Sequence, residues 1–141
     1  MGKLTVFYFP VKQFTMTIAI DFDGTIVSNA YPDIGQDLGA IPVIKELMAQ
    51  GHKLILWTMR TGKDLENAVG YLVDKEIKLW GVNKNPGQFA WSNSPKVYAH
   101  LYIDDGSAGI PMVTVNNKRA VDWVKLREWL VTNGYITHVN N

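Results

Sequence analysis

The sequence predicts an α/β fold built on a doubly wound parallel sheet, and three observations carry that reading. Short apolar runs of strand length recur along the chain, segments of helical periodicity separate them, and 141 residues with 47% hydrophobic content suit one domain with one sizeable core. Right-handed crossovers are then expected to place helices on both faces of the sheet.

Taken in order, the stretch Leu4–Val11 is apolar but short, is broken by Pro10 and has no small-residue cleavage site behind it, which makes a poor signal peptide. Residues 1–15 read as an N-terminal extension in which Leu4–Phe9 can add an edge strand, and 16–141 as the domain. Thr17–Asp21 is the first core strand. Ile41, Ile44, Leu47 and Met48 follow at helical spacing, with Pro42 near the start and Gly51 just past the end, as helix entry and exit favour. Lys53–Thr58 is the second strand. Thr61 and Asp64 have capping-box spacing, and Leu65, Ala68, Val69, Leu72 and Val73 continue as one apolar stripe. Leu79–Val82 is a weaker strand, and Leu101–Asp104 and Met112–Val115 read as further buried parallel strands. Val121, Trp123, Val124, Leu126, Trp129 and Leu130 mark a last helix ending before Gly134.

Composition narrows the function. Lys plus Arg number 14 against 13 for Asp plus Glu, without a like-charge run, so the balance disfavours a nucleic-acid or membrane face and favours a small-molecule substrate. The absence of cysteine excludes disulfides, thiolate metal sites and cysteine nucleophiles, leaving oxygen or histidine to hold any metal. No apolar stretch is long enough to span a bilayer, and a cytoplasmic location is expected.

Ligands of such sheets sit at the carboxyl ends of the strands, and the conspicuous polar residues fall there. Asp21, Phe22, Asp23, Gly24, Thr25 and Ile26 leave the first strand with two carboxylates two residues apart. The bland alternative is an Asp-rich turn; a calcium loop would need glycine where this chain has Ile26. The second strand ends in Thr58, Met59 and Arg60, a hydroxyl and a guanidinium suited to phosphate oxygens. Asp104 and Asp105 bring two more acids to the same rim. Carboxylates crowded at short range repel by roughly 4 kcal/mol per pair at intermediate dielectric, and magnesium, which prefers carboxylates, waters and substrate phosphate, relieves that repulsion.

The order of these motifs, DFDGT, then a strand-ending Thr, a Lys and a DD pair, resembles the haloacid dehalogenase-like phosphatase superfamily, from about Met16 to Val115. The resemblance implies a Rossmann-like sheet and a magnesium-dependent phosphatase that works through an aspartyl-phosphate on Asp21, with Asp23 as general acid and base. It implies that Thr58 and the backbone at Phe22 and Gly24 hold phosphoryl oxygens, where the strand end also offers the Arg60 guanidinium. Magnesium would be ligated by Asp21, Asp104 and the main-chain carbonyl of Asp23, with Asp105 ligating or orienting. It further implies a lysine that tethers the nucleophile and the phosphoryl group: Lys96, with Lys84 the alternative. Neither Val27–Ala40 nor Asn83–Ser94 is large enough for a cap domain, so a capless member with an open site is expected.

A phosphorylated small molecule is the expected partner; an end of a nucleic acid, or a nucleotide, is the alternative, and a catalytically silent phosphate-binding module is the rival from another class. A dehalogenase is disfavoured because that chemistry has no need of Asp23. His52, His100 and His138 have no metal-ligand spacing. Trp57, Trp123 and Trp129 fit core positions. Phe89 and Trp91 fall in the loop after the third strand, expected at the catalytic rim, where packing, a substrate, or a neighbouring subunit of a homo-oligomer would engage them.

Overall fold

Residues 15–137 are described by the structure, a computed structural model; the expected edge strand over Leu4–Phe9 and His138 lie outside them. Four parallel strands form the sheet: β1 (Thr17–Ile20), β2 (Lys53–Leu56), β3 (Gly81–Val82) and β4 (Leu101–Ile103), in the order β3-β2-β1-β4. Register is fixed by Ile18 and Ile20 lying beside Leu54 and Leu56 on one side and beside Leu101 and Ile103 on the other. Strand alternation therefore gathers these six side chains on one face and Ala19, Ile55 and Tyr102 on the opposite face.

The first face meets three helices. α1 (Ala40–Ala49), α2 (Gly62–Asp74) and α3 (Trp123–Thr132) share a core with those strands through Ile44, Leu47, Ala68, Leu72, Leu126 and Leu130. Each fully buried aliphatic side chain of this kind contributes about 1.5–3 kcal/mol. α1 begins where the Asp37 carboxylate accepts the N–H groups of Gly39 and Ala40 at 3.1 and 2.9 Å. Asp122 does the same for α3 through Val124 and Lys125. At α2 the expected capping box does not form: Thr61 makes no side-chain cap, and Asp64 instead accepts the Tyr31 hydroxyl at 3.1 Å.

Helices on both faces were expected; among the described residues only one face carries them. The path β1-β2-β3 advances in one direction, so right-handed crossovers put α1 and α2 on the same side. The return from β3 to β4 passes β1 and must cross the other side. That crossing is the segment 83–100, which contains no helix or strand. Its Val97 and Ala99 pack on Ala19 and Ile55, with Trp57 and Tyr102 beside them. Two buried amides hold it in shape. Gln88 donates to the carbonyls of Ser94 and Lys96 and accepts the Tyr98 N–H, while Asn85 donates to the Tyr98 carbonyl.

Met112–Val115 is a second correction. It forms β5, which pairs antiparallel with β6 (Lys118–Val121) as a separate hairpin rather than joining the parallel sheet. Asn116 and Asn117 turn the chain with φ of 51° and 62°, the left-handed pair that a tight hairpin needs. The hairpin carries α3 to the site: Val121 N–H donates to the Gly24 carbonyl, and the buried Trp123 indole donates to the Thr25 carbonyl at 2.6 Å. Trp129, by contrast, is 43% exposed and stacks on Tyr135 instead of filling the core.

Candidate active site and metal centre

β1 and β4 are the neighbours at which the strand order reverses, so the loops leaving their carboxyl ends diverge and open a crevice. Into it come Asp21 from β1, and Asp104 and Asp105 from β4; one carboxylate oxygen of each lies within 4.8 Å of the others. Thr25, fully buried, joins the two loops. Its hydroxyl donates to Asp21 Oδ2 at 2.8 Å, lies 3.3 Å from Asp105 Oδ1, and accepts the Asp105 N–H at 3.0 Å. Gly24 permits the approach. Its φ is +75°, and a Cβ there would stand 2.8 Å from Asp105 Oδ2.

Electrostatics records the crowding. Burial pushes the Asp21 carboxyl up from 3.8 to about 7, with the Thr25 hydroxyl opposing and the Asp104 charge adding to the rise. Asp104 is raised as well, first by burial and then by Asp105, against the stabilising N–H of Gly106 at 2.7 Å. This donor set fits magnesium. Adjacent oxygens of a magnesium octahedron lie about 3 Å apart and opposite ones about 4 Å, so three oxygens within 4.8 Å need only a small contraction.

Asp23 stands apart from these three. Arg60 grips both of its oxygens, Nε to Oδ2 and Nη2 to Oδ1, at 2.7 Å each. Its side chain is therefore withheld from the acid cluster, and only its main-chain carbonyl is left for the expected metal role. Arg60 itself is corrected from a phosphate ligand. Its remaining N–H groups go to the carbonyls of Pro32, Asp64 and Asp33, so all five donors are engaged in a residue only 2% exposed. The Gly24 N–H is likewise committed, to the Val27 carbonyl at 2.8 Å, and Phe22 is wholly buried.

Thr58 is placed as expected at the end of β2. Its N–H donates to Asn83 Oδ1 at 2.8 Å and its oxygen accepts from the Arg60 N–H, which leaves the hydroxyl proton free to donate. Neither lysine reaches the acids. Among the described residues no ion pair joins Lys84 or Lys96 to an aspartate; the exposed Lys96 ammonium sits 6.0 Å from the centre of the Tyr102 ring. Lys84 borders a cleft of about 190 Å³ with Asn83, Phe89, Ser92 and Asn93, and none of the acids lines it.

Phe89 and Trp91 are 64% and 63% exposed, so packing in the core is not their role. Trp91 makes an edge contact with Tyr98, which makes another with His100 beside the start of β1. This row leads toward the start of β1, away from the rim that carries the acids, contrary to the expectation for Trp91. His52 is structural, accepting the Met16 N–H and reaching the Tyr135 carbonyl.

Sequence reasoning missed Thr25 as the link between the two loops, although it stands in the DFDGT run that drew attention. It also missed Asn83, a residue with a left-handed φ of 53° whose side-chain oxygen accepts the Thr58 N–H.

The structure thus defines a Rossmann-like α/β domain with an acidic cluster at its topological switch point. A conserved protein from Bacteroides thetaiotaomicron has a solved structure that superposes with a TM-score of 0.70 at 35% identity, covering 85% of this chain and 92% of that one. This chain belongs to the same family as that protein. No protein-family model matches the chain, and no curated protein does. No helix among the described residues is long and apolar enough to cross a membrane.

Proposed function

We propose that this chain is a magnesium-dependent phosphatase of the haloacid dehalogenase-like type, capless and cytoplasmic, acting on a phosphorylated small molecule. The observation that carries the reading is the convergence of Asp21, Asp104 and Asp105 at the switch point, with the half-buried Asp21 hydrogen-bonded to Thr25. Magnesium bound there would neutralise the acids and the incoming phosphate. An Asp21 oxygen attacks phosphorus, the bond to the leaving oxygen breaks, and Asp23 gives that oxygen a proton. Asp23 then takes a proton from a water whose oxygen attacks the aspartyl-phosphate, releasing inorganic phosphate and restoring Asp21. The free hydroxyl proton of Thr58 donates to a phosphoryl oxygen, and such positioning is most of what phosphoryl transfer requires of a protein.

Hydrolysis of p-nitrophenyl phosphate tests this. Activity should require magnesium and disappear in Asp21→Asn while the circular dichroism spectrum is retained; near-normal turnover by that variant would end the covalent mechanism. One observation favours a silent phosphate-binding module instead, namely that among the described residues no lysine forms an ion pair with Asp21, Asp104 or Asp105. Magnesium-dependent phosphate binding with no turnover on a phosphometabolite panel would select that reading.

A further inference from the structure

We infer that Arg60 is a positioning residue that makes Asp23 and the flap 28–37 one unit, so that the carboxylate serving the leaving group is aimed only while the flap is seated. The catalytic half of this inference rests on the phosphatase reading; the latch itself does not. Arg60 leaves the end of β2 and meets three other pieces of chain: the loop after β1 at Asp23, the flap at Pro32 and Asp33, and the first turn of α2 at Asp64. The guanidinium carbon lies 5.1 Å from the ring centres of both Phe22 and Tyr31, and the Tyr31 hydroxyl ties the flap to the Asp64 carboxylate at 3.1 Å. The flap is closed at its base by Ser28, whose N–H donates to the Gln36 carbonyl and whose hydroxyl oxygen accepts the Gln36 N–H. Nothing in this set is a surface ion pair, because the Arg60 side chain is 1% exposed.

Two consequences follow from the chemistry of the fork. A carboxylate oxygen offers two lone-pair sites, and the guanidinium occupies one on each Asp23 oxygen. The others remain, on a side chain that is 19% exposed, so Asp23 can still exchange a proton with a leaving group while its plane is fixed by two parallel bonds. Lysine could not reproduce this arrangement, having three donors on one point charge where Arg60 uses five in a plane. The flap carbonyls bond to the same guanidinium, so loosening either partner frees the other.

Leaving-group dependence separates aiming of Asp23 from phosphate binding or bulk stability. p-Nitrophenolate departs without protonation, whereas the alkoxide of glycerol 2-phosphate needs a proton as its bond breaks. Arg60→Lys should lower kcat for the alkyl ester about tenfold more than for the aryl ester, a part of the 100- to 10,000-fold that a placed acid contributes. Its aryl KM should stay close to the parent's. Amides 28–37 should exchange hydrogen faster in the same variant at a pH where the parent protects them. Equal losses on both esters with a raised KM would assign Arg60 to the phosphoryl group, and unchanged exchange of the flap would overturn the latch. Where Arg60→Lys does not fold, Tyr31→Ala, which removes the exposed ring over the guanidinium, must show the same split and faster flap exchange. A parent protein that hydrolyses neither ester defeats the phosphatase reading, and the exchange measurement then decides the latch alone.

Discussion

Magnesium should stabilise this protein more at pH 8 than at pH 5, and the size of that difference follows from Asp21. In the folded, metal-free chain its carboxyl titrates at about 7, against 3.8 when unfolded. Below about pH 4 both states are protonated and the group imposes no penalty. Between about 4 and 7 the folded state holds the proton that the unfolded state releases, so stability falls as pH rises, and above about 7 the full penalty is present. At about 1.4 kcal/mol per pH unit the displacement amounts to at most about 4 kcal/mol. About two of those pH units fall between pH 5 and pH 8, and because Asp21 is only half-buried solvent screening brings the expected difference to roughly 1–3 kcal/mol, a few degrees in Tm for a chain of this length. Melting curves at pH 5 and 8, with magnesium and with a chelator, measure it. The metal-free Tm should drop toward pH 8 and magnesium should restore most of the loss. Asp21→Asn, which cannot ionise, should melt above the metal-free parent at pH 8. A magnesium effect equal at both pH values, or a metal-free Asp21→Asn that melts lower than the parent at pH 8, would refute the assignment of repulsion to this cluster.

Three further outcomes are expected. Gly24→Ala should lower stability by at least about 1–2 kcal/mol from its left-handed backbone alone and lose activity besides, since the new Cβ would stand 2.8 Å from Asp105 Oδ2; thermal melts and magnesium-dependent turnover together check this. Gln88→Ala strips the Ser94 and Lys96 carbonyls and the Tyr98 N–H of their partner, at about 1–3 kcal/mol for each group left buried, and limited proteolysis should then cut first within 83–98. Phe89→Ala, at the edge of the 190 Å³ cleft, should change KM for a bulky phosphate ester but not for a small aryl phosphate, whereas Trp91→Ala should leave both unchanged; steady-state kinetics on the two esters decides.

The strands and helices of the parallel half were legible because burial imposes periodicity. Ile18, Ile20, Leu54 and Leu56 must all be apolar to face the helices, and Ala68 and Leu72 must recur one turn apart to face back. Met112–Val115 misled for the same reason. Its apolar run looks like a buried strand, yet Val113 is 42% exposed, and the informative signal lay just beyond it in Asn116-Asn117, two residues that tolerate the left-handed backbone of a tight turn. At the site, the acids were readable from their places at strand ends, while partnerships were not. Spacing brings Asp23 and Arg60 to one rim but says nothing of whether the guanidinium faces a ligand or a carboxylate. Only the flap, whose carbonyls at Pro32 and Asp33 complete the fork, decides that.

The reversal in strand order also explains why the second face is covered by loop rather than helix, and what that implies for the site. The return from β3 to β4 has only the stretch 83–100 with which to pass behind β1, and it uses it as irregular chain held by the buried amides of Asn85 and Gln88. Long loops without secondary structure are uncommon in compact domains and tend to carry function. Ala19 points to this face, and Asp21 follows it by two residues, so the candidate nucleophile and the loop share one side of the molecule. The helical face supplies stability through Leu47, Leu72 and Leu130, all fully buried. The loop face supplies the Asn83 side chain behind Thr58 and the exposed Phe89 beside the cleft. Changes in the loop can therefore alter which leaving group is accepted while the acids and the helical core stay as they are.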